Sequence, residues 1–490
     1  MKKSILVILS LCAWFTSQAQ NVFHDRGFWA KKPTIAMIEA EIAKGNDITE
    51  MGPGGWDGPL LAIMADNDYD VIKHILDKPG IDVNVNTHHS QNYLIWTTMK
   101  GNLPVMELLV KKGSRTDIIN SHGQSLLMHA AMAKPDKAVY DFCIANGGDI
   151  VNDKDEQGRN VMLSAVSGLT DISFLDYFLS KGLSLDDTDK DGNGLFHYAV
   201  QGGNISLLKG LVAKGVSVKP NKLGENAFAF VGRGRGARMS IELLEYLKSL
   251  GLDPALPNAQ GRTLAHTAAQ AGASEEIFKF LEDNNIDLGK SDDNDNTPLM
   301  AAAHRGNVEL LKRLLESNSV NFVNRDGESA LVNAVALNSP EAVNLLIEAG
   351  GDVGIMSKEG DDLYGVLIGS YRSGRNSIDR VKALISILEN NRLQMPLDGS
   401  LLHKAFKKDD EELLSLLIEK GIDINAKDND GNTILHYAAM QAKDIALVER
   451  LIEKGADPEI KTEFDESILD LLKANEAINL EETNTDFLNK

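Results

Sequence analysis

Apolar residues recur along most of the chain with the spacing of short amphipathic helices. In segments 308–315 and 447–452 they are separated by three and four positions, the period at which residues share one face of an α-helix. Many of these runs end at a lysine–glycine pair, and a stretch rich in Asp, Asn and Gly follows. Such a pair is typical of a helix end and such a stretch is typical of a turn. The glycines of the clearest pairs are Gly113, Gly182, Gly215, Gly421 and Gly455.

A second pattern marks where each helical pair starts. Residues able to cap a helix recur as anchors about 34 positions apart. In most copies a large apolar residue follows two positions later, and a small residue, usually Ala, follows after five. The small residue would let a neighbouring helix approach closely, so each unit is predicted to bury its apolar face against the next. The anchors are Gly58, Asn92, Ser125, Asn160, Gly194, Asn226, Thr263, Thr297, Ser329, Asp362, Ser400, Thr433 and Ser467.

Helix, turn, helix, glycine stop and Asp/Asn-Gly turn at this period resemble the ankyrin repeat, over roughly residues 56–475. The resemblance implies an all-α fold, an ankyrin-repeat solenoid of about 12–13 helix-turn-helix units with short turns or hairpins between them. Segments 92–95 and 160–163 lack most of the family signature, so their units are expected to depend on their neighbours for stability. The Thr-Pro-Leu-His signature is matched by segment 297–299 and by the histidines His197, His266, His403 and His436.

The first twenty residues are expected to lie outside the fold. Lys2 and Lys3 precede an apolar run over 5–15 and a small, polar segment over 16–20, which is the layout of a cleaved secretory signal. The run is too short for the ~20 residues that span a bilayer. A lipoprotein signal would have to use Cys12, and the bulky Leu11 before it argues against that alternative. We therefore expect cleavage near residue 20, a periplasmic or secreted location and a bacterial source.

The remaining chain is predicted to have three parts. Residues 21–55 would form an N-terminal capping half-repeat, with a helix around 35–42 that ends at Gly45. Residues 56–464 would form the repeat array. Residues 465–490 would form a C-terminal cap helix and a polar tail.

Composition narrows the class of protein without identifying an activity. Of 490 residues, 43% are apolar, 25% are charged and 13 are Pro, which is typical of a folded chain rather than a disordered or collagen-like one. The formal charge of −21 opposes binding to nucleic acid or anionic membranes, and it favours solubility or a partner with basic patches. Two cysteines exclude a disulfide framework and a cysteine-based zinc site. Cys143 lies in an apolar helical stretch and is expected to be buried and inert.

The motifs that could carry chemistry are incomplete. The signature histidines fall on different units, so they are expected to be structural. Segment 187–192 imitates the start of a calcium loop, but Tyr198 occupies the position of the required glutamate. Segment 289–291 resembles the end of a phosphate loop that lacks its upstream glycine, because that position is Asn284. The sequence therefore predicts no catalysis, no cofactor and no metal; a weak metal site at the adjacent His88 and His89 is the less favoured alternative.

Two anchor spacings, 226 to 263 and 362 to 400, are longer than the rest, and each contains a glycine–arginine segment. A tolerated loop insertion explains them most simply. The alternative is an anion site, since arginine binds carboxylate and phosphate groups bidentately. On that alternative the protein is an envelope enzyme or a small-anion or ligand-binding protein that uses the loops at 232–238 and 372–375. The arginines concerned are Arg233, Arg235, Arg238, Arg372 and Arg375.

The resemblance implies an exported, monomeric protein-binding scaffold, with no membrane span in the mature chain. Its concave face, built from turn tips and first helices, would bind a protein partner. A purely architectural role beside a neighbouring envelope protein is a further alternative. The predicted partner-binding tip residues are His88, His89, His122, Gln157, Lys190, Lys222, Gln260, Asp293, Arg325, Lys358 and Asn429.

Overall fold

The computed structural model describes residues 21–234, 239–372, 377–408, 410–428, 430–442 and 445–478. These ranges contain α-helices and short 3-10 helices but no β-strand, and their only bridges are Gly52–Trp56 and Thr188–Gly194. The prediction of an all-α fold is confirmed. In the same ranges, no helix has both the length and the apolar character that crossing a membrane would require.

The chain divides into two compact units, Met1–Arg238 and Met239–Lys490. In the N-terminal unit, helices follow one another in pairs, and the first helix of a pair packs on the first helix of the neighbouring pair. Short 3-10 helices span Val22–His24, His88–Ser90, Val166–Gly168 and Ala227–Phe230. The α-helices are α1 Arg26–Ala30, α2 Ile35–Ala43, α3 Gly58–Met64, α4 Tyr69–Leu76, α5 Tyr93–Lys100, α6 Leu103–Lys111, α7 Leu126–Ala130, α8 Lys137–Ala145, α9 Val161–Ala165, α10 Phe174–Ser180, α11 Leu195–Gly202 and α12 Ile205–Ala213.

The C-terminal unit repeats the same arrangement and closes with a single helix. Its first described helix stands alone because the 3-10 helix before it belongs to the other unit. The helices are α13 Ile241–Ser249, α14 Leu264–Ala271, α15 Glu275–Asp283, α16 Pro298–Ala303, α17 Val308–Leu315, α18 Ala330–Ala336, α19 Pro340–Glu348, α20 Leu363–Ser370, α21 Ile378–Asn390, α22 Ser400–Phe406, α23 Glu411–Glu419, α24 Ile434–Gln441, α25 Ala446–Glu453 and α26 Ile468–Ala474.

The anchor residues begin the first helix of each pair, as predicted, except at two positions. At Gly58 and Ser400 the N-cap lies one residue earlier, at Asp57 and Gly399. The Asp57 carboxylate accepts a hydrogen bond from the Leu60 amide at 2.9 Å, which a glycine side chain cannot do. Gly399 instead provides a left-handed backbone with φ of 82°.

Glycine ends the second helices, and alanine lines the contacts between first helices. Gly113 and Gly455 have φ of 90° and 101°, a conformation that other residues rarely adopt, so the predicted glycine stops are confirmed there. The predicted small residues are all buried: Ala130, Ala165, Ala199, Ala268, Ala302, Ala334, Ala405 and Ala438. Since a larger side chain at such a position would separate the helices, alanine sets how closely neighbouring repeats stack.

Each end of the described array is covered by a flanking segment, through apolar packing at the N-terminal end and through hydrogen bonds at the C-terminal end. In the N-terminal segment, Phe23, Trp29, Ile38 and Ile48 pack together against the first repeat, and the Trp29 indole donates a hydrogen bond to the Phe23 carbonyl at 2.9 Å. At the C-terminal end, Asn475 Nδ2 donates to carbonyls of the preceding repeat. Both ends therefore satisfy polar and apolar groups that a further repeat would otherwise cover.

We expect Trp29→Ala to lower the free energy of unfolding of the N-terminal repeats by about 3–5 kcal/mol, because it empties a fully buried indole site. Urea unfolding followed by the fluorescence of Trp56 and Trp96 measures this. Met37→Ala on α2 is the matched control, since the Met37 side chain is 48% exposed and its loss should change stability by less than about 0.5 kcal/mol. Equal effects of the two changes would contradict the proposed covering role.

Candidate functional site

Most of the described turn tips are built around one Asp or Asn side chain. In the turn that imitates a calcium loop, Asp189 Oδ1 accepts from the amides of Asp191 and Asn193 at 3.0 and 2.8 Å, and Oδ2 accepts from the Tyr198 hydroxyl. These bonds use the carboxylate within the turn, in agreement with the interpretation as a turn. The same pair of amide bonds forms at Asn120, Asp155, Asn221, Asn258, Asp292, Asn324 and Asp428.

Backbone hydrogen bonds join successive tips within each unit. In the N-terminal unit, the Lys190 amide donates to the Gln157 carbonyl at 3.1 Å and the Lys222 amide donates to the Asp191 carbonyl at 2.9 Å. In the C-terminal unit, the Asp293 amide donates to the Gln260 carbonyl at 2.9 Å. The tips that these bonds join form a polar edge, in which neighbouring side chains are held at fixed spacing.

Several cationic tip side chains are used to hold this edge together. Lys190 Nζ donates to the Glu156 carbonyl at 2.6 Å, and Lys222 Nζ donates to the Lys190 carbonyl at 3.0 Å. Arg325 pairs with Asp295 at 3.2 Å, and Lys358 pairs with Asp326 at 2.6 Å. In contrast, the exposed amide side chains of Gln157 and Gln260 make no hydrogen bond within the described residues.

The predicted tip residues are otherwise accessible. His88 is half-buried, and Asn429 lies outside the described residues. The other predicted tip residues are exposed: His89, His122, Gln157, Lys190, Lys222, Gln260, Asp293, Arg325 and Lys358. Nothing in the structure identifies a partner, so their role in binding remains a prediction.

Three of the predicted residues come together at the N-terminal tips. The rings of His88 and His89 have centroids 4.0 Å apart, and those of His89 and His122 are 5.4 Å apart. On the other side, His88 lies 5.2 Å from the ring of Trp56, which lies 5.3 Å from Trp96. We call these five side chains the imidazole cluster. The Arg26 guanidinium extends the cluster, 4.4 Å above the Trp56 ring.

The backbone beneath the cluster is strained. His89 has φ and ψ of 59° and 28°, and Ser90 has φ of 58°. Ser90 occupies the position at which the next turn places the left-handed Gly123. A left-handed conformation costs a non-glycine residue roughly 1–2 kcal/mol. The strain is offset locally because His88 Nδ1 donates to the Gly54 carbonyl at 2.9 Å and the Trp96 indole donates to Thr87 Oγ1 at 2.9 Å. Strained non-glycine residues of this kind concentrate at binding sites.

The sequence analysis did not single out Trp56, Trp96 or Arg26. Trp56 immediately precedes the N-cap Asp57, and Trp96 lies four positions after the anchor Asn92. Aligning the repeats by their period would have placed Trp56 and Trp96 beside the turn that carries His88 and His89. Arg26 lies in the capping segment, which has no equivalent position in the repeat, so only the structure could place it.

The signature histidines bridge neighbouring repeats. His266 Nδ1 accepts from the Thr263 amide at 3.1 Å, and Nε2 donates to the Asn296 carbonyl of the next repeat at 3.0 Å. His436 bonds in the same way to Thr433 and Ile460. The structural role is confirmed for both, with a second bond that reaches beyond their own repeat. Burial lowers the pKa of both imidazoles, which favours the neutral form that this pattern requires.

The lowered pKa of His266 makes stability depend on pH. In the unfolded chain the imidazole takes up a proton near pH 6.5, whereas in the folded chain it stays neutral to a lower pH. The contribution of His266 is therefore complete above the unfolded pKa and is lost as the pH falls towards the folded one, by at most about 1.4 kcal/mol per pH unit. We expect His266→Gln to reduce the pH slope of the unfolding free energy between about pH 6.5 and 5.

Urea titrations at several pH values measure this slope. His304→Gln is the matched control, because His304 is exposed in the same unit. An unchanged slope in His266→Gln, or an equal change in both variants, would contradict the bridging role.

The remaining candidates are the free cysteine, a metal site and the predicted anion sites. Cys143 is buried, and burial raises the pKa of its thiol to about 12, which confirms the prediction of an inert residue. No cluster of three or more metal-ligating side chains suited to an ion occurs in the described ranges. Arg235, Arg238 and Arg375 of the predicted anion sites lie outside those ranges.

Two further arginines of those segments are described. Arg233 is exposed, with its guanidinium 5.3 Å from the Phe230 ring. Arg372 is exposed near two lysines: burial, Arg372 and Lys404 together lower the pKa of Lys408. Lys408 Nζ donates to the Gly369 carbonyl, and Lys404 pairs with Asp361 at 2.9 Å, so both lysines already have partners. The anion-binding alternative remains a prediction.

A protein-family model described as ankyrin repeats (3 copies) matches residues 60–150, 265–357 and 370–462. A second model, described as ankyrin repeats (many copies), matches residues 170–212. Together these matches extend over most of residues 56–464, the predicted repeat array.

Individual proteins are similar over shorter lengths. An ankyrin repeat protein of fowlpox virus (strain NVSL) is 33% identical over 131 residues, 26% of this chain and 28% of that protein. Transient receptor potential cation channel subfamily A member 1 of Homo sapiens is 25% identical over 338 residues, 66% of this chain and 26% of the channel. The chain thus spans only about a quarter of either relative. The crystal structure of the human ASB11 ankyrin repeat domain covers 46% of this chain and 96% of that chain, with 23% identity and a TM-score of 0.36.

Proposed function

Because this chain belongs to the ankyrin-repeat family, we propose that it is a protein-binding scaffold whose turn tips bind a partner protein. Ankyrin repeats are in general protein-interaction modules and not catalysts. The proposal rests on the observation that some tip side chains bond neighbouring tips whereas others have no such contact. Lys190 and Lys222 hold the edge together, whereas Gln157, His89 and His122 present exposed side chains that the fold itself does not use. Side chains free of a structural task are where binding specificity can reside.

We propose that the partner binds the turn tips rather than the second helices. The second helices carry ion pairs between repeats, such as Lys214 with Asp176 at 2.8 Å and Lys420 with Glu389 at 2.8 Å. Those side chains pair within the protein. We propose that the protein acts as a monomer and carries out no reaction of its own.

We expect a photo-crosslinking amino acid at Gln157 or Gln260 to capture the same partner protein in the cells that produce this chain. Both positions are exposed tips, one in each unit. Glu107 on α6 and Glu341 on α19 are the matched controls, because both are exposed on second helices. Mass spectrometry of the adducts measures capture. Equal capture from the control positions, or none from either tip, would contradict the proposal.

We further propose that the protein is exported by its first twenty residues and acts outside the cytoplasm. Lys2, Lys3 and the apolar run that follows support this proposal, because they have the layout that the secretion machinery recognises. The partner would then be an envelope or extracellular protein.

When the full-length gene is expressed in a bacterial host, the recovered protein should begin at about residue 21, as read by intact mass and N-terminal sequencing. Leu9→Arg should block cleavage, because a charge interrupts the apolar run. Ser4→Arg is the matched control, since it adds the same charge to a region that is already positive. An uncleaved wild-type chain in the cytoplasm would refute export.

A further inference from the structure

The basic side chains of the imidazole cluster are not paired with acidic side chains as those of several other tips are. Arg325, for example, meets Asp295 of the adjoining tip at 3.2 Å. Arg26, His88, His89 and His122 form no ion pair with any acidic side chain in the described part of the chain. Three imidazole rings and a guanidinium therefore lie together at the N-terminal tips without a carboxylate partner.

We propose that the imidazole cluster, together with Arg26, binds an acidic segment of a partner polypeptide and binds it more tightly as the pH falls through the range in which histidine ionises. This inference rests on the proposed function and specifies the chemistry of the partner at these tips. The ring faces would pack against the backbone or apolar atoms of the segment. Arg26 and the protonated imidazoles would pair with its carboxylates.

The geometry couples binding to protonation. His89 is exposed between His88 and His122, so protonating His89 places a positive charge within about 6 Å of both neighbouring rings. Partial desolvation and the two neighbouring imidazoles lower the pKa of His89. A bound carboxylate would offset the repulsion between the rings, so binding the segment and taking up protons favour each other.

The other titratable groups around the cluster limit this effect but do not cancel it. Asp57 lies beneath Trp56, is buried and accepts from the Tyr93 hydroxyl; burial raises the pKa of this carboxyl, which favours its neutral form. Two more histidines are nearby: His24 contacts the Glu50 carbonyl, and buried His129 accepts from the Asn120 amide group. Glu156 is a further acidic side chain on this side of the cluster, because it packs on Gly123 beside His122. The cluster itself remains exposed through His89 and His122.

The test uses the full mature chain and a fluorescein-labelled hexa-aspartate peptide, with fluorescence anisotropy as the readout. Wild type should bind at least about tenfold more tightly at about pH 5.5 than at about pH 8, because imidazole protonates between them. His89→Gln with His122→Gln should reduce this ratio to less than about threefold, and Arg26→Gln should weaken binding at both pH values. Circular dichroism at both pH values verifies that each variant is folded.

Gln157→Ala is the matched control, since Gln157 occupies the position of His89 and His122 in the next turn and is exposed. This variant should bind like wild type. Equal binding of a hexaglutamine peptide, loss of binding in the presence of EDTA, an unchanged pH ratio in the double histidine variant, or an equal loss in Gln157→Ala would overturn the inference.

The failure of this inference is distinguishable from the failure of the proposed function. If crosslinkers at Gln157 and Gln260 capture a partner but the histidine variants bind hexa-aspartate like wild type, the tips bind proteins and the cluster is not selective for acidic segments. If the crosslinkers capture nothing while hexa-aspartate binding depends on the histidines and on pH, the inference stands and the scaffold proposal fails.

Discussion

The stacking of each helix pair on the next is the constraint on which the structure depends. A pair of helices of eight or nine residues, such as α14 and α15, cannot bury both of its apolar faces within itself. Burying a single Leu or Ile side chain contributes about 1.5–3 kcal/mol, whereas an exposed ion pair contributes about 0–1 kcal/mol. The ladder of pairs between second helices, such as Lys214 with Asp176, is therefore secondary to apolar contact. The buried alanines matter because they let first helices approach closely enough for that contact.

Stacking fixes the spacing of the repeats, and polar side chains then fix their register. At most tips an Asp or Asn side chain accepts hydrogen bonds from turn amides, as Asp189 does from the Asn193 amide. Leaving a buried amide unpaired costs about 1–3 kcal/mol. His266 extends this logic across the boundary between repeats, because one ring satisfies the Thr263 amide and the Asn296 carbonyl. These polar contacts decide which of several apolar packings the chain adopts.

The same regularity makes departures from it informative. Most tips have a glycine at the left-handed position, such as Gly123 and Gly192, and several pair a cation with the neighbouring tip, as Arg325 pairs with Asp295. The turn at 87–91 has neither, since His89 and Ser90 are both left-handed and the imidazoles are not paired with acids. Arg26 lies beside this turn and is positive, whereas the net charge of the chain is −21, so the partner that the whole chain would attract differs from the one that this tip would attract. The proposed binding of an acidic segment follows from the local charge.

The sequence by itself determined the repeat length, most helix starts and the glycine stops, because capping and termination act within three or four residues. Two starts were wrong by one position, where Asp57 and Gly399 satisfy the backbone better than the neighbours chosen from the pattern. The sequence also could not predict that the first helix of one unit shortens to the 3-10 helix Ala227–Phe230. Only the tertiary structure decided that Arg26 joins Trp56, His88 and His122 in one surface, because Arg26 lies in the capping segment, which has no equivalent position in the repeat. These four residues are about 30 or more positions apart along the chain, and the packing of one repeat on the next brings them together.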